Sequence, residues 1–173
     1  LNNNNKRIKN IFTSVLKGHI AVANYKLRKK TSGSEIDRVA RKYLKQIKLD
    51  YPHGTGHGVG YFLNVHEGPH AISKNNKINF KPGMIVSTEP GYYENNKFGI
   101  RIENLIYVKK DNNKLCFDNL TIAPIDKNLI DSSILTKVEK KWLNSYHKKV
   151  HKKLKFFMNK KESYDLKLAC SAI

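Results

Sequence analysis

The stretch from His53 to His70 reads "HGTGHGVGYFLNVHEGPH". It carries four of the chain's seven histidines, and its last five residues, His66 to His70, fit the H-E-x-x-H pattern of a zinc-binding helix. That pattern works only on a helix, where residues four apart share a face and two imidazoles converge on one ion. Here the two middle residues are Gly68 and Pro69. Proline has no N–H and its ring clashes with the preceding turn, and glycine adds about 1 kcal/mol against a helix interior. The segment is therefore expected to be a loop and the zinc-helix match a decoy. Glycines at 54, 56, 58 and 60 point the same way, to an extended or turning backbone that something approaches closely.

Before this loop, apolar residues recur at helical spacing. Ile11, Phe12, Val15, Leu16, Ile20, Ala23 and Leu27 form one stripe, and Ile36, Val39, Ala40, Tyr43, Leu44 and Ile47 a second. Ser32 and Glu35 have the spacing of a capping box at the start of the second helix. After the loop, Met84 to Glu89 reads as a short strand stopped by Pro90 and Gly91. "FGIRIENLIYVKK", from Phe98, alternates as one strand, with Phe98, Ile100 and Ile102 on one face and Arg101, Glu103 and Leu105 on the other. "KLCFDNLTIAPI" reads as a further strand. Thr136 and Glu139 then open a long helix with the stripe Val138, Trp142, Tyr146, Val150, Leu154 and Phe157. Helices, then strands, then a helix predict an α+β fold. The domain reading is a low-complexity lead-in over residues 1–10, a catalytic domain over 11–130 and a helical extension over 131–173.

Length and composition bound the class. The 173 residues, 39% of them hydrophobic, suffice for one globular core. No run of eighteen apolar residues and no apolar leader is visible, so neither a membrane span nor a signal peptide is read from the sequence. Two cysteines, Cys116 and Cys170, stand outside any C-x-x-C pattern and fit a reducing compartment. The balance of 33 Lys plus Arg against 14 Asp plus Glu gives +19, which attracts polyanions at low salt. The excess is mostly lysine towards the carboxyl end, arginines are few, and no nucleic-acid-binding signature is present, so it reads as a solvated face and not as a specific nucleic-acid site. The final "CSAI" has the C-a-a-X spacing of a prenylation signal, but Ser171 is not aliphatic.

Four polar residues sit where burial is costly: His57 among glycines, His66 after an apolar run, Glu89 at a strand end and Glu103 within a strand. A carboxylate among isoleucines needs a partner or a metal. One imidazole with two carboxylates suits manganese, cobalt or zinc. Taken singly, each also fits a blander role, a satisfied core histidine, or for Glu103 a pairing with Arg101 or a lysine.

Together, "HGTGHGVGYFLNVHEGPHAIS" and "KPGMIVSTEPGYYENNKFGIRIEN" resemble the catalytic domain of the Xaa-Pro aminopeptidases (aminopeptidase P) of metallopeptidase family M24, which have the pita-bread fold. The resemblance extends from about Phe12 to about His147, through "FTSVLKGHIAVA", "LTIAPIDKNLID" and "LTKVEKKWLNSYH", and is nearest the cytosolic eukaryotic type. It implies a site of two divalent ions, usually manganese. His57 matches a histidine ligand, Glu89 a glutamate ligand that also accepts a proton, and Glu103 the glutamate bridging both ions. His53 and His66 match histidines that hold substrate and steady the oxyanion, and Tyr93 and Arg101 match residues near the substrate proline. The implied substrates are peptides with proline in second position, the implied assembly a homodimer, and the implied location the cytoplasm, with an acidic digestive compartment as a further possibility. The family's two aspartate ligands and a further histidine near them are not matched here, so the chain reads as the carboxyl-terminal part of a pita-bread catalytic domain, with the preceding part as its partner. Two rival readings are a prolidase, which cuts only dipeptides, and a pita-bread binding module without catalysis.

Overall fold

The computed structural model describes residues 5–62 and 64–173. The first four residues of the asparagine-rich lead-in, and Leu63 of the histidine loop, lie outside the described residues. Contacts divide the chain into two units, one of Ser14–Thr121 and one formed by the residues up to Thr13 together with Ile122–Ile173. Helix α1 (Lys6–Ala23) contributes residues to both.

In the first unit, α1 buries Val15, Leu16, Ile20 and Val22, and ends at Ala23, so Leu27 leaves the expected helical stripe and makes an isolated bridge with Leu115 instead. Helix α2 (Gly33–Gln46) buries Ile36, Ala40 and Leu44. Ser32 is its N-cap residue, but its side chain caps nothing, and Glu35 does not reach back. The Glu35 carboxylate accepts from the Tyr25 hydroxyl and the Arg28 guanidinium, and the Ser32 hydroxyl lies 3.1 Å from that of Ser34. A charged donor outcompetes a neutral backbone N–H for a carboxylate, which is why the box does not close.

Strands β3 (Ile85–Thr88), β6 (Asn104–Asp111) and β7 (Lys114–Asn119) form an antiparallel sheet in the order β3-β6-β7. Thr88 pairs with Asn104, and Lys109 with Cys116. Asn112 and Asn113 both take positive φ, the geometry that matches a two-residue hairpin turn to strand twist. Val22, Ile36, Ile72, Phe80, Val86, Ile106 and Phe117 make the core beneath the sheet.

The expected single strand from Phe98 is two. Strand β5 (Phe98–Arg101) pairs as a hairpin with β4 (Gly91–Glu94), and β6 starts only at Asn104. Between them Ile102 gives its N–H to Pro90 at 3.2 Å, so the chain changes partner there. Alternation survives the break: Ile100, Ile102 and Ile106 are buried while Arg101 and Glu103 face out. The residues His66 to His70 form no helix. The histidine loop is held by β1 (Gly56–His57) pairing with β2 (Ala71–Ile72), and by a bridge from Gly58 to Val86. A Cβ on Gly56 would stand 1.8 Å from the Ser87 carbonyl oxygen, and one on Gly58 2.0 Å from that of Glu67. Close backbone approach is therefore what the alternating glycines allow.

In the second unit, helix α3 (Lys137–Leu154) opens with the Thr136–Glu139 capping box, fully formed. Its buried face is Glu139, Leu143, Tyr146, His147 and Val150, while Val138 and Phe157 are exposed. Strict steps of four residues advance about 40° past a full turn each time, so the expected stripe drifts off the face it begins on. Helix α4 (Lys160–Ala169) follows, with an Asn159–Glu162 capping box. The signal for it, "NKKE", is legible in the sequence just past the apolar stripe that ends at Phe157.

Candidate functional site

Six of the seven singled-out side chains form an unbroken line in the Ser14–Thr121 unit. The His66 ring lies 4.0 Å, centroid to centroid, from that of His57. His57 Nε2 is 3.3 Å from Glu89 Oε1, and Glu89 Oε2 is 3.1 Å from Arg101 Nη1. Arg101 Nε donates to the Tyr93 hydroxyl at 2.7 Å, and that hydroxyl is 3.0 Å from His53 Nε2. The line runs across three elements: the histidine loop with β1, the end of β3, and the β4–β5 hairpin.

The elements explain the placement. Glu89 is the first residue past β3, buried, and its N–H is taken by the Thr55 carbonyl at 2.7 Å. Tyr93 and Arg101 lie on one face of the hairpin, close to the Gly91↔Arg101 and Tyr93↔Gly99 pairs. Arg101 sits in the field of both Glu89 and Glu103, and its hydrogen bond with Tyr93, opposed by desolvation and helped by smaller contributions from those charges, holds its pKa above the ordinary value.

Hydrogen bonds assign the ring protons. His57 Nδ1 is 3.1 Å from the Gly58 carbonyl oxygen, which can only accept, so Nδ1 carries a proton. Nε2 then turns its lone pair towards a carboxylate oxygen. Two acceptors at 3.3 Å need a cation between them, either a second proton or a metal ion. A histidine that gives one N–H to a backbone carbonyl while presenting the other nitrogen is the arrangement metal-binding histidines use. His53 follows the same pattern: Nδ1 donates to the Gly54 carbonyl at 2.7 Å, leaving Nε2 to accept from Tyr93.

Glu103 stands apart. It is exposed, between β5 and β6, and makes no hydrogen bond or ion pair among the described residues. Among those residues no three His, Cys, Asp or Glu side chains come close enough together to ligate one ion. His57 and Glu89 thus fit a metal as a converging pair, with Glu103 at the margin.

Several residues that touch the line or the segments carrying it escaped the sequence reading. Ser87 accepts from the His57 N–H at 2.9 Å and donates to Glu89 Oε1 at 3.0 Å, tying the two together. Its signal is a hydroxyl inside an apolar strand, two residues before a glutamate. His19 on α1 is fully buried against the main chain at Thr88 and Ile102, the residues before Glu89 and Glu103. Burial pushes its pKa down to about 4, partly opposed by those backbone contacts, so it is neutral. Asp37 and Arg41, four apart beside the apolar stripe of α2, are also buried.

A histidine, a glutamate and an arginine thus converge at the end of β3 in an α+β fold. The chain belongs to metallopeptidase family M24: the family's profile matches residues 1–110, and that of the C-terminal region of peptidase M24 matches residues 113–173. It is 51% identical over 150 residues to a probable Xaa-Pro aminopeptidase P of Laccaria bicolor, covering 80% of this chain and 23% of that protein. Among solved structures, it is similar to an X-prolyl aminopeptidase of Caenorhabditis elegans, described as a cytosolic enzyme with a di-nuclear active site (TM-score 0.90, 38% identity, 97% of this chain and 29% of that one). It is also similar to the prolidase of Pyrococcus furiosus (TM-score 0.62, 28% identity, 70% of this chain and 34% of that one). The chain spans about a quarter of the length of the curated relatives it matches. The neighbours share the pita-bread architecture expected of the α+β chain.

Proposed function

We propose that this chain carries part of the active site of a metallo-aminopeptidase that removes the first residue from peptides with proline second. The observation that supports it most is the unbroken line from His66 through His57, Glu89, Arg101 and Tyr93 to His53, which sets metal-binding and substrate-binding groups side by side. The greater likeness to the X-prolyl aminopeptidase than to the prolidase supports the longer-peptide reading.

In this reading His57, Glu89 and Glu103 would hold the metal, together with two aspartates that the resemblance implies and that are not matched among these residues. Two divalent ions, manganese by the resemblance, supply when bound a water acidic enough to attack the carbonyl at neutral pH. Glu89 would be the carboxylate placed to take up a proton there. His66, beside His57, donates to the oxygen on which negative charge develops, and His53 holds the substrate. Tyr93 and Arg101, hydrogen-bonded to each other, line the seat of the proline ring. The bond before proline has no N–H, so a site built of cations and a ring-shaped seat reads it where one that grips that hydrogen cannot.

The reading extends to residues 11–130 as catalytic domain and 131–173 as helical extension, and to a cytoplasmic homodimer. Among the described residues, no helix is long and apolar enough to cross a membrane. The test is to supply the full-length natural chain with manganese and assay release of the first residue from an Xaa-Pro-Xaa tripeptide and from an Xaa-Pro dipeptide. Tripeptide cleavage is expected. Cleavage of the dipeptide alone would identify a prolidase, and cleavage of neither a binding module.

A further inference from the structure

The loop over residues 50–55 has no regular structure of its own, yet it carries His53. Its order comes from one turn of α2. Arg41 donates from Nε to Asp37 at 2.8 Å, from Nη1 to Asp50 at 2.7 Å and to the Tyr51 carbonyl at 2.8 Å, and from Nη2 to the carbonyl of His53 itself. Its guanidinium also lies over the Tyr51 ring, 3.9 Å from the centroid. The second oxygen of Asp37 accepts from the Thr55 hydroxyl at 2.7 Å, which stands 2.5 Å from the Tyr51 hydroxyl. Thr55 in turn gives its carbonyl to the Glu89 N–H.

Asp37, Arg41, Tyr51 and Thr55 are all buried. A buried ion pair is a poor source of stability, because desolvation offsets its attraction and apolar residues of the same volume do as well or better. What it does well is fix geometry, since a guanidinium fork satisfies its acceptors in only one arrangement. Here most of those acceptors belong to the loop, two of them main-chain carbonyls, one of which is that of His53.

We propose that Arg41 and Asp37 form a clamp that sets the position of His53 for substrate. The proposal rests on the peptidase reading for the role of His53. Arg41 is a positioning residue, touching no reacting atom.

Arg41→Lys in the full-length natural chain keeps the charge and removes the fork. It is expected to raise KM for the tripeptide about tenfold with kcat within about threefold and bound manganese unchanged. It is also expected to shift the His53 ring-nitrogen NMR signals, because Nε2 leaves the Tyr93 hydroxyl. Arg38→Gln, an exposed neighbour on α2, is expected to do neither. A lowered melting temperature with KM and the His53 signals unchanged would reduce the clamp to a structural pair and overturn the proposal. If Arg41→Lys does not fold, Asp50→Asn loosens the outer end of the clamp at lower cost and is read the same way. If the unsubstituted chain cleaves nothing, the peptidase reading fails on its own, and the clamp is judged on the His53 signals, where no shift overturns it.

Discussion

Ser87 shows how one hydroxyl serves two ligand candidates at once: it fixes the main chain at His57 and the carboxylate of Glu89. Ser87→Ala is expected to weaken manganese binding by about tenfold or more, as loss of a group that orients metal ligands does. Isothermal titration would read it. Glu103 is the opposite case, an exposed carboxylate with no hydrogen bond or ion pair among the described residues, whose proposed task is the metals. In the full-length chain Glu103→Gln is expected to lose bound metal and nearly all turnover, whereas full metal occupancy would remove it from the ligand set. His66→Ala separates the two kinds of residue. As an oxyanion donor it should leave metal content intact and lower kcat by about 10².

At the scale of elements, α3 makes the energetic contrast. Leu143 has no exposed surface, while Val138, chosen by the strict four-residue stripe, is largely in solvent. Leu143→Ala is expected to cost about 2–5 kcal/mol and Val138→Ala less than about 0.5 kcal/mol in denaturant unfolding. Equal costs would mean that the buried face is misassigned. The same contrast shows what was legible in the sequence. The type of each long element followed from periodicity, and the loop at His66 to His70 from the cost of Gly-Pro in a helix. The breaks followed long-range partners that no local pattern contains: Ile102 turns to Pro90, and Glu35 turns to Tyr25 and Arg28 instead of capping α2. For the site, the residues alone singled out three members of the line, His57, His66 and Glu89, while His53, Tyr93 and Arg101 came only from the family resemblance. Asp37, Arg41 and Ser87 were passed over because a charged pair at i, i+4 or a strand serine looks the same in sequence whether it faces water or a buried loop.

At the scale of the whole molecule, acid and metal are the two variables to change. His19 has a folded-state pKa of about 4 against an ordinary 6.5, so between those values the unfolded chain binds its proton first. Stability from this residue is present above about pH 6.5 and is lost as the pH falls towards 4, by roughly 3 kcal/mol in all. His147 acts in the same direction, its pKa lowered by burial and then by Lys127 while Nε2 accepts the Ile125 N–H. His19→Gln is expected to flatten part of the slope of unfolding free energy against pH over that window, and an unaltered slope would show that His19 is protonated in the fold. The metal variable follows from the ligand count. Of the five ligands the resemblance implies, these 173 residues supply His57, Glu89 and Glu103, and only the first two converge. Such a pair holds one ion weakly, because each missing carboxylate removes both a bond and a neutralising charge. The second ion then has no anchor, and the lowered water pKa that the proposed reaction needs is not reached. The 173-residue chain purified alone is therefore expected to bind manganese weakly, at no more than one ion per chain by equilibrium dialysis, and to release no detectable residue from an Xaa-Pro-Xaa tripeptide. Turnover approaching that of the full-length chain would show that the aspartates are dispensable and that the two-ion reading of this site is wrong.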